Sequence, residues 1–169
     1  MWMILSLVVS AIAIGVAVYF YNWVKALPVA EGNINQVGQL IRNGAYTFLR
    51  REYRVLSIFV GIVSILILLI FPAPVWRGEI GENMIAALSY IAGAVLSGVA
   101  GYVGISIATL ANVRSASAAK KGLVPAYMAG FRGGADMGMA VVSTALAAAA
   151  LLQLLTDNAD FVMAFSLGA

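Results

Sequence analysis

The chemistry open to this 169-residue chain rests on seven acids and ten bases, because it holds no cysteine and no histidine. Without cysteine there are no disulfides, thiolate zinc sites or thiol nucleophiles. Without histidine the usual general base and the commonest metal ligand are gone. The acids are sparse. Glu79/Glu82 and Asp157/Asp160 are the only close pairs, and Glu31, Glu52 and Asp136 stand apart. Magnesium needs clustered carboxylates, so neither pair predicts a metal site. The segment Gly130–Gly138 is glycine-rich but lacks the lysine of a phosphate loop. Arg132 and Asp136 are spaced i and i+4, which predicts an ion pair at a helix end, worth a few tenths of a kcal/mol if exposed. No catalytic, cofactor-binding or metal-binding residue follows from the sequence.

The elements that carry these residues are apolar. Of the chain, 63% is hydrophobic and 10% charged, where a soluble domain has about a quarter of its residues charged. Mean hydropathy is +0.98. This excludes a disordered chain and predicts an all-α, polytopic transmembrane helical bundle. The net charge of +3 does not predict nucleic-acid binding. The bases sit in loops between apolar runs rather than in one patch with aromatics.

A crossing helix needs about 20 apolar residues. Four spans are predicted, at 2–24, 55–71, 84–113 and 137–155. Trp2 lies at one end of the first span and Tyr19, Tyr21 and Trp23 at the other, as interfacial anchors do. A signal peptide would need a basic stretch ahead of the apolar run, and this chain has none. The second span stops at Pro72, Pro74 and Trp76. Its helix is predicted to begin near residue 34, with Asn33 as cap and Gln36 as its partner. Ile34, Val37, Ile41, Ala45 and Phe48 would form its apolar face. A break at Gly44, leaving an interfacial helix on lipid, is the alternative. Residues 161–169 are too few to cross and read as the start of a fifth, truncated helix, as in a fragment.

Lysine and arginine alternate by loop. Lys25, Arg42, Arg50, Arg51 and Arg54 lie between the first two spans, and Arg114, Lys120, Lys121 and Arg132 between the last two. The other connection has only Arg77, a split of nine to one. The positive-inside rule then puts the N-terminus outside and loops 25–54 and 114–132 in the cytoplasm.

Small residues form stripes. Gly93, Ser97, Gly101 and Gly104 recur along the third span, and Gly130, Gly134 and Gly138 along the fourth. Such spacing predicts helix packing, since small residues let backbones meet in lipid. A path lined by Ser97, Tyr102, Ser106 and Thr109 is the alternative. Packing is preferred because no ionisable residue lies inside a span, and ion paths are marked by such residues.

Three segments carry a resemblance: Gly44-Ala45-Tyr46-Thr47-Phe48-Leu49-Arg50-Arg51-Glu52-Tyr53, the stretch from Ser97-Gly98-Val99-Ala100-Gly101-Tyr102 to Asn112-Val113-Arg114, and Ala129-Gly130-Phe131-Arg132-Gly133-Gly134-Ala135-Asp136-Met137-Gly138-Met139. In order and spacing the chain resembles the N-terminal part of the membrane-bound, ion-translocating inorganic pyrophosphatases. That resemblance implies the outer-ring part of a sixteen-helix fold, usually a homodimer. The whole enzyme would hydrolyse magnesium pyrophosphate and pump H⁺, Na⁺ or both outward, some members requiring K⁺. Its metal-binding and gating residues would lie on later helices, so this chain alone is expected to be inactive. A non-enzymatic four-helix scaffold or small transporter is the alternative.

The charge split makes a direct prediction. In this cysteine-free chain, Gln39→Cys and Ser115→Cys should react with an impermeant thiol reagent only from the cytoplasm, and Gly78→Cys only from outside. Cytoplasmic labelling at position 78 would overturn the four-span topology.

Overall fold

In a computed structural model, residues 2–29, 32–74 and 80–169 are described. Five helices follow one another, with no strand among the described residues: α1 Trp2–Ala26, α2 Asn33–Ile70, α3 Ile80–Ala119, α4 Leu123–Thr156 and α5 Ala159–Gly168. The first four are long and apolar enough to cross a membrane. Glu31, Trp76, Arg77, Gly78 and Glu79, which figure in the sequence argument, lie outside the described residues.

The helix ends follow from local chemistry. α2 is continuous through Gly44. It starts from Gly32, not from an Asn33 cap. Gly32 takes a left-handed φ of 81°, and its carbonyl accepts from the Asn35 and Gln36 amides. Only glycine adopts that conformation without strain. α4 begins at Leu123, ahead of the apolar run, because Pro125 sits in the first turn where no amide donor is needed. The connection before it is short, and Gly122 turns it with a φ of 128°. α5 begins two residues before its apolar run because the Asn158 side chain accepts from the Asp160 amide at 2.9 Å.

Many large apolar side chains lie outside, and alanines are prominent inside. Val8, Ile12, Ile58, Phe59, Ile62, Ile65 and Val142 are among those at least half exposed, while Ala17, Ala86, Ala87, Ala111, Ala129 and Ala164 are buried. This inverts the soluble pattern. It is the arrangement that lipid rewards, since apolar side chains gain nothing by leaving acyl chains while close backbones gain packing.

The contacts gather into two compact units. One comprises Met1–Ser10, Arg51–Val99 and Thr144–Ala169. Its core is Ile67, Ala86, Ala87, Tyr90, Phe161 and Ala164, flanked by Val60, Val63, Phe71 and Leu152. Asn83, fully buried, ties its helices together. Pro72 has no amide to give the Leu68 carbonyl, its helical partner one turn earlier. Asn83 Nδ2 supplies the missing donor at 3.0 Å and a second bond to the Ala73 carbonyl at 2.7 Å.

The other unit comprises Ala11–Arg50 and Ala100–Ser143. Here α2 and α3 pass so closely that a Cβ on Gly38 would meet the Val113 side chain. The face of α2 that packs is Gly38, Ala45, Tyr46 and Leu49. Of the apolar face expected from the sequence, Val37, Ile41 and Phe48 are instead exposed, at 53%, 51% and 62%. Gly38, Ala45 and Tyr46, with Leu49 as a large aliphatic, define the packed side.

Asn83→Asp keeps the size but exchanges a donor for an acceptor. Two part-buried carbonyls then lose their partner, at about 1 kcal/mol each. Unfolding in mixed micelles should show a clear loss of stability, and an unchanged midpoint would mean those carbonyls are bonded otherwise.

Candidate functional site

The stripe residues meet different neighbours. In the first unit, a Cβ on Gly93 would strike the Phe165 carbonyl of α5, and one on Gly168 the Tyr90 carbonyl of α3. The two helices therefore touch backbone to backbone. Ser97 Oγ donates to the Ala169 carbonyl at 2.7 Å. In the second unit, a Cβ on Gly104 would lie 2.8 Å from Met137 Cε, and one on Gly130 3.4 Å from Ser115 Oγ. Gly101 is half-buried. Gly134 and Gly138 face open space. The α4 glycine pressed against α3 is Gly133, whose Cβ would collide with Ala111 Cβ. Counting i+4 steps from Gly130 steps over it. The packed face of α4 instead runs Ala129, Gly133, Asp136, Ser143, with the helical steps of four and three residues.

Two hydroxyls of the alternative ion path, those of Ser106 and Thr109, are engaged locally. Ser106 Oγ donates to the Tyr102 carbonyl at 2.9 Å, so the Tyr46 hydroxyl, 2.6 Å from Ser106 Oγ, is the donor to it. The Tyr46 and Tyr102 rings stand 5.6 Å apart. Thr109 Oγ1 donates to the Ile105 and Ser106 carbonyls. These contacts bind α2 to α3 and satisfy the hydroxyls within the helix.

The second unit also gathers cations onto aromatic rings and carbonyls. The Arg132 guanidinium lies 4.0 Å from the Trp23 ring centroid and 5.9 Å from that of Phe20. A cation over tryptophan is worth about 0.5–2 kcal/mol. Arg114 Nη2 donates to the Lys25 carbonyl at 2.7 Å, and Lys25 Nζ stands 5.7 Å over Tyr21. A cation at the last carbonyls of α1 also suits its helix dipole. The ion pair expected between Arg132 and Asp136 is replaced by the Arg132–Trp23 stack. Asp136 is only 1% exposed, and its Oδ2 has no hydrogen-bond partner.

A cleft of about 300 Å³ opens between α2 and α3 of this unit, walled by Ile34, Val37, Ile41, Val113 and Ala116, with Asn112 as a polar edge. Its lining contains no acid. Among the described residues no three acids group as metal ligands do. The donor set of the described residues therefore does not fit a magnesium–phosphate centre.

These features define an integral, multi-pass membrane protein built from close-packed helices. Residues 11–169 match the family described as inorganic H⁺ pyrophosphatase, and the chain belongs to that family. It is 34% identical over 158 residues to a K(+)-insensitive pyrophosphate-energized proton pump of Methanosarcina mazei, covering 94% of this chain and 22% of the relative. A Clostridium tetani protein named as a K(+)-stimulated pyrophosphate-energized sodium pump is 32% identical, over 99% of this chain and 24% of its own length. Pyrophosphate-energized membrane proton pump 3 of Arabidopsis thaliana is 32% identical, over 86% and 19%. The chain thus spans about a fifth to a quarter of the relatives it matches.

Adjacent glycines should respond in opposite senses. Gly133→Ala drives a methyl into Ala111 and should cost about 1–3 kcal/mol. Gly134→Ala meets open space and should be neutral, or stabilising by up to about 1 kcal/mol through helix propensity. Unfolding in mixed micelles compares the two, and equal tolerance would mean α3 and α4 do not meet at Gly133.

Proposed function

We propose that this chain supplies the N-terminal four-helix part of a pyrophosphate-driven H⁺ or Na⁺ pump, and that the reacting groups lie on other parts of the pump. The observation that carries this reading is the family match over residues 11–169 in a chain whose described acids do not cluster. Magnesium pyrophosphate hydrolysis needs a divalent ion held by carboxylates and cations on the phosphates. The described acids are Glu52, Glu82, Asp136, Asp157 and Asp160. Glu52 stands alone on α2 and Asp136 is buried, so neither forms a clamp.

The role left to these helices is mechanical. They form part of the wall against which mobile, charged helices work, in a pump that acts as a homodimer with lipid on its outer face. The nine-to-one charge split supports an external N-terminus. Relatives named for proton and for sodium pumping match at 34% and 32%. This stretch is thus common to both, which supports placing ion choice and K⁺ dependence elsewhere.

The test is direct. The 169-residue chain, purified and placed in liposomes with magnesium and pyrophosphate, should release no phosphate above empty liposomes. Clear turnover would overturn the assignment of the chemistry to other parts.

A further inference from the structure

Asp136 is the one described acid that is both fully buried and without a partner at Oδ2. It lies on the packed face of α4 between Gly133, pressed on Ala111, and Met137, beside Gly104. The obvious counter-ion is Arg132, one turn earlier on the same helix and within reach of it. Arg132 is spent on Trp23 and Phe20 instead. The other charged or titratable groups on the helices packed here are also engaged or turned outward. On α1, Lys25 stands over Tyr21, and Tyr19 is 60% exposed. On α3, Arg114 bonds the Lys25 carbonyl, and Tyr102 lies against Tyr46. On α4, Tyr127 stacks on Phe131 at 5.7 Å. Arg42, on α2, sits over Tyr46.

An ionised carboxylate so placed would be a buried charge with neither counter-ion nor hydrogen-bond donor on Oδ2, an arrangement that costs several kcal/mol. A sodium ion is no remedy, since hard cations take several oxygen ligands and the next polar residue along this face of α4, Ser143, lies about two helical turns away. A proton is the one ligand that removes the charge without needing space or further donors.

We propose that Asp136 is a proton-binding site, and that its proton decides where Arg132 rests. With the proton bound, the carboxyl is neutral and Arg132 stays on the Trp23 ring, holding α1 to α4. When the O–H bond breaks, the proton passes to solvent water and the electron pair stays on the carboxylate. Arg132, which keeps its own charge throughout, then swings back one turn to pair with it. The stack on Trp23 is lost and α1 is released at that end. The site is separate from pyrophosphate chemistry, and it would let local pH reach the packing of these helices.

The experiment reads Trp23. The substitutions Trp2→Phe and Trp76→Phe leave it as the sole tryptophan of the chain. The protein in liposomes is titrated from acid to alkaline pH while its emission is followed. A one-proton transition is expected, and it should vanish in Asp136→Asn, where the emission keeps its acid-side value. A transition that persists unchanged in Asp136→Asn, or a flat parent curve, overturns the proposal. Infrared spectra of the parent over the same titration give a readout independent of any variant at 136. A protonated-carboxyl stretching band should disappear across the same transition. Its absence at every pH would show Asp136 permanently ionised and would equally end the proposal.

Discussion

Close approach of backbones, permitted by residues with little or no side chain, is the constraint on which the rest of this structure depends. In lipid there is no hydrophobic gain in moving a leucine from outside to inside, so helices associate by dispersion and by hydrogen bonds that short distances allow. Gly93 against the Phe165 carbonyl, Gly133 against Ala111 and Gly38 against Val113 are the points where this occurs. The Tyr46–Ser106 and Ser115–Ala126 hydrogen bonds, at 2.6 and 2.7 Å, lie beside such points. A wider helix separation would break both the packing and the bonds.

The same constraint explains what the sequence revealed and what it hid. Long apolar runs dictate long helices, so the four crossing helices and the long α2 were legible from composition, proline placement and length. The face that each helix packs was not. Periodicity pointed to Val37, Ile41 and Phe48 because large apolar residues mark the interior of a soluble protein, yet here Phe48 is exposed and Val37 and Ile41 line an open cleft instead of a packed core. Gly133 was passed over for Gly134 because adjacent glycines are equivalent in sequence, and only a facing helix tells them apart. Asn83 carried a readable signal. Pro72 deprives the Leu68 carbonyl of its amide, and a polar side chain must come from somewhere to replace it.

Several polar groups in the described structure serve helix ends. Asn83 closes the end of α2, Asn158 opens α5, and Arg114 occupies the last carbonyls of α1. Arg132 departs from the sequence expectation for a related reason. The Asp136 carboxyl is buried in the helix packing, whereas the Trp23 ring is open to Arg132 and offers a stack worth about 0.5–2 kcal/mol. The stack requires α1 alongside α4, information absent from the spacing within one helix.

A wall of helices held this way is tolerant in one respect and strict in another. Its outward residues need only be apolar, and many side chains satisfy that. Many of its inward positions call for a small or a hydrogen-bonding residue, and few side chains satisfy that. Neither demand refers to any particular ion or to phosphate. A stretch under such demands can therefore be shared, at about one residue in three, by relatives named for proton and for sodium pumping. Holding a transported ion in a membrane needs charged side chains in clusters. Such clusters would force helices apart at the places where this chain brings them closest.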